Sequence, residues 1–237
     1  MSFIGKWIGV LGLLAVLVAG DQIRIHRPGH KYRLTVEVET PAGIKSASSV
    51  LAVVPDRGYS RGGKTVTHGE AVFVDLGEDH GQRKNLVALL AHLGKALDLD
   101  DVNYVALRAY GAARGSRVSF NELSRLSGIV PVQGPLIPVL VTFGDPNNPA
   151  TARTVAPDQL EAVLGAGYKL HGLSAEIVPN GFWPIDFGGA LGEPVTRGIT
   201  AKLPWLAGTG EPAAAALKAA GLTASAPIEP REAFTRK

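Results

Sequence analysis

The chain has 237 residues, 24 Lys and Arg against 21 Asp and Glu for a net charge of +3, and no cysteine. That length can bury one substantial core and makes a single globular domain the default. The missing cysteines remove disulfides, thiol nucleophiles, zinc–thiolate sites and iron–sulfur clusters, and the basic residues lack the stripe that nucleic acid requires, so no nucleic-acid partner is expected.

Trp7 to Gly20 (WIGVLGLLAVLVAG) is uniformly apolar and is followed by Asp21 and the basic stretch Ile23 to Arg33. Fourteen residues at about 1.5 Å each reach roughly 21 Å, short of the ~30 Å hydrocarbon core, so a spanning helix must recruit Ser2 to Gly5 and let Lys6 snorkel. The same length suits the apolar region of a secretory signal, with small residues at Val18, Ala19 and Gly20. An uncleaved single-pass anchor is the preferred reading. Trp7, Leu11, Leu13, Leu14, Val16, Leu17 and Val18 would face lipid; Arg24, Arg27, Lys31 and Arg33 form the headgroup flank, read as a solvated flank of the helix in preference to a patch bound to anionic headgroups. The expected boundaries are 1–24 for the anchor or signal segment, 25–31 for a basic linker, 32–207 for the globular domain and 208–237 for an Ala/Pro-rich, partly disordered tail.

Beyond the anchor, Tyr32 to Thr40 alternates strictly, with Leu34, Val36 and Val38 on one face, the period of a half-buried strand. Pro41-Ala42-Gly43 turns it into a second strand at Ile44 to Val54, making a hairpin. Val66 to Leu76 reads as one third strand, and Gly77 to Arg83 as a polar connection. Leu86, Leu89, Leu90, Leu93 and Leu97 stand at helical spacing and predict an amphipathic helix over 85–97. Ser119 and Glu122 match a capping box opening a helix that ends at Gly128. Leu136 to Phe143 reads as an edge strand interrupted by Pro138. Asp145 to Pro149 is a turn cluster. Pro157 opens a helix with Leu160, Val163 and Leu164 inward and Gly165 as its stop, before a strand at Tyr168 to Val178. Asn180 to Pro194 is a loop whose aromatics, Phe182 to Phe187, serve better as a plug over the core than as a binding surface. Pro212 to Ala220 can be helical, yet Leu217 is its only large apolar residue.

Several strings here, YRLTVEVETPAGIKSASSV at Tyr32, GEAVFVDLG at Gly69, LVTFGDPNNPATARTVAPDQLEAVLG at Leu140 and PVTRGITAKLPWL at Pro194, resemble a family of uncharacterised, mostly proteobacterial proteins with an N-terminal membrane segment. The resemblance implies membrane attachment in a bacterial envelope and carries over no catalytic residue.

Gly58 to Thr65 fits the P-loop expression in full. A working P-loop, however, places its Lys and Thr on the first turn of a helix, and the β-branched run after Thr65 leaves no room for one. No nucleotide is expected. His68, Glu70, Asp75 and His80 allow a carboxylate/imidazole metal site to be drawn, but at a spacing that matches no metal motif; a solvated strand face is preferred, and neither metal nor cofactor is expected. No serine-hydrolase or zinc-protease motif is present. The chain therefore reads as an α+β domain, a mainly antiparallel sheet with a few short helices on one face, preceded by an N-terminal transmembrane helix. Its expected place is the inner membrane, with the domain periplasmic in preference to cytoplasmic. Its expected role is a binding or scaffolding module of the cell envelope with a possible envelope protein partner. An envelope hydrolase using an unmarked His/carboxylate site is the alternative.

Overall fold

The computed structural model describes residues 3–56, 64–79, 81–94, 96–181, 192–223 and 229–236, and within helix α1 it describes the side chains of 11–22 only. Helix α1 (Phe3–His26) is followed by strands β1 (His30–Thr40), β2 (Gly43–Val54), β3 (Val66–Glu70), β4 (Val72–Asp79) and β5 (Gln82–Ala88). The short strands β6 (His92–Leu93) and β7 (Leu97–Asp98), helices α2 (Val105–Arg114) and α3 (Phe120–Leu123), and strands β8 (Ile129–Pro131), β9 (Leu140–Phe143) and β10 (Ala152–Thr154) come next. Helix α4 (Leu160–Leu164), β11 (Lys169–Val178), α5 (Glu211–Ala219) and β12 (Thr235–Arg236) complete the order.

Among the described residues these strands form a six-stranded sheet, β12-β3-β2-β1-β11-β8, a four-stranded sheet, β10-β9-β5-β4, and the small β6-β7 pair. The pairings are antiparallel throughout. The fold is thus α+β with mainly antiparallel sheets and few short helices. Strand β4 of the second sheet packs across β1 and β2 of the first. Between and around them Leu34, Val36, Val38, Leu51, Val53, Val74 and Leu86 form one apolar core.

The β1–β2 hairpin follows its sequence pattern. Tyr32, Leu34, Val36 and Val38 are buried while Arg33, Thr35 and Glu37 are partly exposed and Glu39 exposed. The expected linker 25–31 is instead shared out: α1 runs to His26, Pro28 ends it by removing a helical N–H, and β1 already begins at His30. Gly29 N–H donates to Val53 O at 2.8 Å, tying the exit of α1 to β2.

The single strand expected over 66–76 is two strands in different sheets. The chain crosses between them at Ala71, two residues after Gly69, which has φ +139° and on which a Cβ would lie 2.5 Å from Leu51 Cδ2. Gly69→Ala should therefore destabilise the domain by about 2 kcal/mol through combined backbone strain and overpacking. Urea denaturation measures this, and a change below about 0.5 kcal/mol would contradict the close approach drawn here.

The helix expected over 85–97 is strand β5 followed by an extended segment. Every residue from Leu86 to Ala91 is fully buried, so both faces are lined by core and helical spacing among the leucines has no outside face to define. Neighbours on either side take up the backbone: Leu89 N–H donates to Val139 O, Val139 N–H to Ala91 O, and Leu90 N–H to Ala233 O. Leu93, expected inside, is 61% exposed. The polar connection expected over 77–83 is mostly the paired ends of β4 and β5. Helix α2, which the pattern reading passed over, buries Val105, Ala106, Ala109 and Tyr110 and stops at Gly115 in the left-handed region.

The capping box at Ser119 and Glu122 is formed, although its helix is only Phe120–Leu123. Strand β9 starts only at Leu140, after Pro138. Within α4, Leu160 and Leu164 are buried, but Val163 is exposed.

In the segment 208–237 the helix expected over Pro212 to Ala220 is formed as α5, and residues 230–236, expected in a partly disordered tail, are ordered against the core. Helix α5 buries Ala213, Ala216 and Leu217. Ala233 and Phe234 are buried in the core, and β12 closes the first sheet against β3. Small alanines suffice for α5 because close helix approach, not side-chain bulk, fills its interface.

Candidate functional site

The carboxylates proposed from the sequence have local structural partners. Glu70 is buried, and its Oε2 accepts the N–H of Ile199 at 2.7 Å while its backbone carbonyl accepts Ser49 Oγ at 2.6 Å. Asp75 lies in the other sheet, where Arg83 donates to it at 2.6 Å and Gly77 N–H at 3.1 Å. The Arg83 hydrogen bond holds its carboxyl below the usual carboxylate range. His68 is partly exposed on β3, opposite Ala52, with the Gly69 kink between it and Glu70. His80 lies outside the described residues. Among the described residues no group of three or more histidines and carboxylates could hold a metal ion. The structure sets Glu70 and Asp75 apart because the chain changes sheets between them, which a single-strand reading could not anticipate.

Of the P-loop-like segment, residues 57–63 lie outside the described residues. Its end is clear: Lys64 and Thr65 run into strand β3, and Thr65 O accepts Asn103 Nδ2 at 2.8 Å. The helix whose first turn would present phosphate-binding N–H groups is replaced by a strand. Lys64 instead lines a cleft of about 470 Å³ with Asp100, Glu229, Arg231 and Glu232, beside the buried Arg236. The aromatic loop 182–187 lies outside the described residues.

The remaining candidates lie at the end of the domain that carries α1. Leu11, Leu13, Leu14, Val16, Leu17 and Val18 are all 52–68% exposed. At 100° per residue they leave one gap of about 140°, which Ala15 and Gly12 occupy, so no polar side chain interrupts this stretch of the helix. Trp7 and Arg24 have side chains outside the described set. The basic flank divides in two. Arg27 is exposed, but Lys31 is buried with Nζ donating to Glu193 O at 2.8 Å, and Arg33 is held between the carboxylates of Glu176 and Glu193. Lys31 and Arg33 are thus bonded within the domain: β1 starts at His30, earlier than its alternation suggested, and takes in Lys31, while Arg33 lies on the strand as read.

Where α1 enters the domain, a cleft of about 810 Å³ is bounded by Gly20 on the helix and by Arg27, Asp56, Phe120, Asn121, Ser124 and Asn180. Asn180 Nδ2 makes long contacts of 3.5 and 3.4 Å to Pro28 O and Gly29 O, while its Oδ1 is buried with no hydrogen-bond partner. Behind Phe120 lies His30, 1% exposed, its ring 5.7 Å from that of Phe120 and 6.1 Å from that of Tyr32. Neither imidazole nitrogen has a hydrogen-bond partner, and burial pushes the pKa from its ordinary 6.5 down to about 4. His30 is therefore neutral at pH 7. Sequence reasoning missed this cluster because residues 20, 30, 120 and 180 share no motif, and only the tertiary fold brings them together.

Compared with protein families, curated proteins and solved structures, the chain matches none.

Proposed function

We propose that this protein is a membrane-tethered binding module of the bacterial cell envelope, attached to the inner membrane by α1 with its domain on the periplasmic side. The observation that carries this reading is the set of exposed Leu and Val side chains over residues 11–18. A soluble helix keeps a polar face, and α1 has none between Trp7 and Gly20. Covering six such side chains with lipid would contribute roughly 10 kcal/mol.

Among the described residues no helix is long and apolar enough to cross a membrane. The side chains described in α1, residues 11–22, would cover only about 18 Å, so spanning relies on the rest of the 24-residue helix, about 36 Å in length. The hydrolase alternative has less support, since Glu70 and Asp75 are each committed to a structural hydrogen bond in a different sheet.

Membrane fractionation with alkaline carbonate extraction tests the anchor. The full chain should stay with the membrane. Leu14→Asp combined with Leu17→Asp should release it, each charge adding about 3 kcal/mol at the middle of a span. A wild-type chain extracted by carbonate would sink the proposal. Protease treatment of intact spheroplasts then assigns the side: digestion of the domain places it in the periplasm, and protection until lysis places it in the cytoplasm.

A further inference from the structure

We infer that the cleft between α1 and the domain binds the phosphate-ester head group of a membrane lipid, one carrying hydroxyl groups. Position is the first argument. Gly20, the last residue of the apolar run, forms part of the cleft wall. With the run in lipid, the cleft opens within a turn of its end, at the depth where headgroups lie. This clause rests on the anchor reading proposed above.

Chemistry is the second. Arg27 supplies a guanidinium suited to a phosphate. Asn121, Ser124 and Asn180 supply neutral hydrogen-bonding groups, and Phe120 an apolar wall. Asp56 on the same cleft is a carboxylate. It can accept from a ligand hydroxyl and repels a compact, multiply charged anion, so the lining favours a singly charged ester with hydroxyls over inorganic phosphate.

The third argument is unmet hydrogen bonding. Among the described residues four buried side-chain atoms have no partner; one of them, Asn180 Oδ1, belongs to a residue lining this cleft, and two are the nitrogens of His30, behind its Phe120 wall. Buried polar groups in folded proteins are paired as a rule, and exceptions call for a physical reason. A ligand hydroxyl donating to Asn180 Oδ1 would supply it. His30, whose ring is tilted against that of Phe120, is placed to register any shift of that ring.

The test uses the full chain carrying ¹⁵N-labelled Asn and His, first in neutral detergent micelles and then in phosphatidylcholine bilayers with or without phosphatidylglycerol. The NMR signals of the Asn180 side-chain amide and the His30 imidazole are followed, and bilayer attachment is read separately by flotation. Phosphatidylglycerol should shift both signals. Ser124→Ala with Asn180→Ala, read at His30, and Arg27→Gln, read at both, should each weaken that response about tenfold (1.4 kcal/mol) with flotation unchanged. Glycerophosphoglycerol, the singly charged phosphodiester head group without its acyl chains, added to the micelles separates the sources. A matching response shows that the head group alone is recognised, and a response confined to bilayers assigns the ligand to intact lipid. No response to either compound, an equal response to inorganic phosphate, or undiminished binding by the variants overturns the proposal. If flotation of the wild type fails, the anchor reading fails, and the micelle titration with glycerophosphoglycerol still decides the cleft.

Discussion

Deleting residues 230–237 should unfold the domain. The deletion removes the buried Phe234 and Ala233, and with them strand β12, which pairs with Gly69 and Glu70 of β3. It also removes Arg236, a buried guanidinium that donates to the carbonyls of Leu90, Leu99 and Glu232. Loss of a core phenylalanine alone costs about 3–5 kcal/mol, and each buried carbonyl left without a donor adds about 1–3 kcal/mol. With the carbonyls of Leu90 and Leu99 left behind, the total of about 5–11 kcal/mol is comparable to the 5–15 kcal/mol that typically stabilises a whole domain. Thermal and urea melts of the truncated chain should show no cooperative transition. Because a truncated chain can also fail for lack of solubility, Phe234→Ala provides the graded version, with an expected loss of about 4 kcal/mol. A truncated chain that melts within about 1 kcal/mol of wild type would show that the C-terminal segment does not close the core.

The second large effect is an acid-labile fold traced to His30. Its imidazole is held neutral by burial, with a pKa near 4 in the fold against 6.5 when exposed. Between those values the unfolded chain takes up a proton that the folded chain refuses, so stability falls as pH drops from about 6.5 and the loss is complete below about 4. The full difference is on the order of 3 kcal/mol. His30→Leu should remove this dependence. It should also raise stability at pH 7 by about 1–2 kcal/mol, because two buried nitrogens without partners give way to an apolar side chain facing Phe120 and Tyr32. Urea titrations of both proteins at pH 7 and pH 4.5 give the measurement. The lowered carboxyls of Asp75 and Glu122 also release stability in acid, but both are solvent-screened surface groups common to the two proteins, so the difference between them isolates His30. An equal acid loss in the variant would remove His30 as the cause.

The two effects bear on how sequence and fold relate in this chain. The hairpin of β1 and β2 was legible residue by residue, because one face of β1 meets the core and the other meets polar surroundings, so burial and sequence alternate together. The capping box at Ser119 was legible for a similar reason, since its hydrogen bonds close within four residues. Segment 85–97 failed the same procedure. Once both faces of a strand are buried, apolar residues stop marking a face, and leucines at helical spacing arise by coincidence. The C-terminal segment failed for another reason: its prolines and charges resemble a solvated tail, while its anchor is one phenylalanine and one arginine that reaches the carbonyls of Leu90 and Leu99, 146 and 137 residues away.

By itself, then, the sequence determined the class of the fold, the apolar run of α1 and the absence of thiol chemistry, all properties set by composition or by contacts within a few residues. Tertiary structure decided the rest. It separated Glu70 from Asp75 by switching sheets at Ala71, drew Lys31 out of the basic flank into β1, and gathered Gly20, Arg27, Phe120 and Asn180 around one cleft with His30 behind Phe120. The physical reason is common to all three: they depend on which distant segments share a hydrogen-bonded edge or a buried face, and pairing over such separations leaves no local periodicity to read.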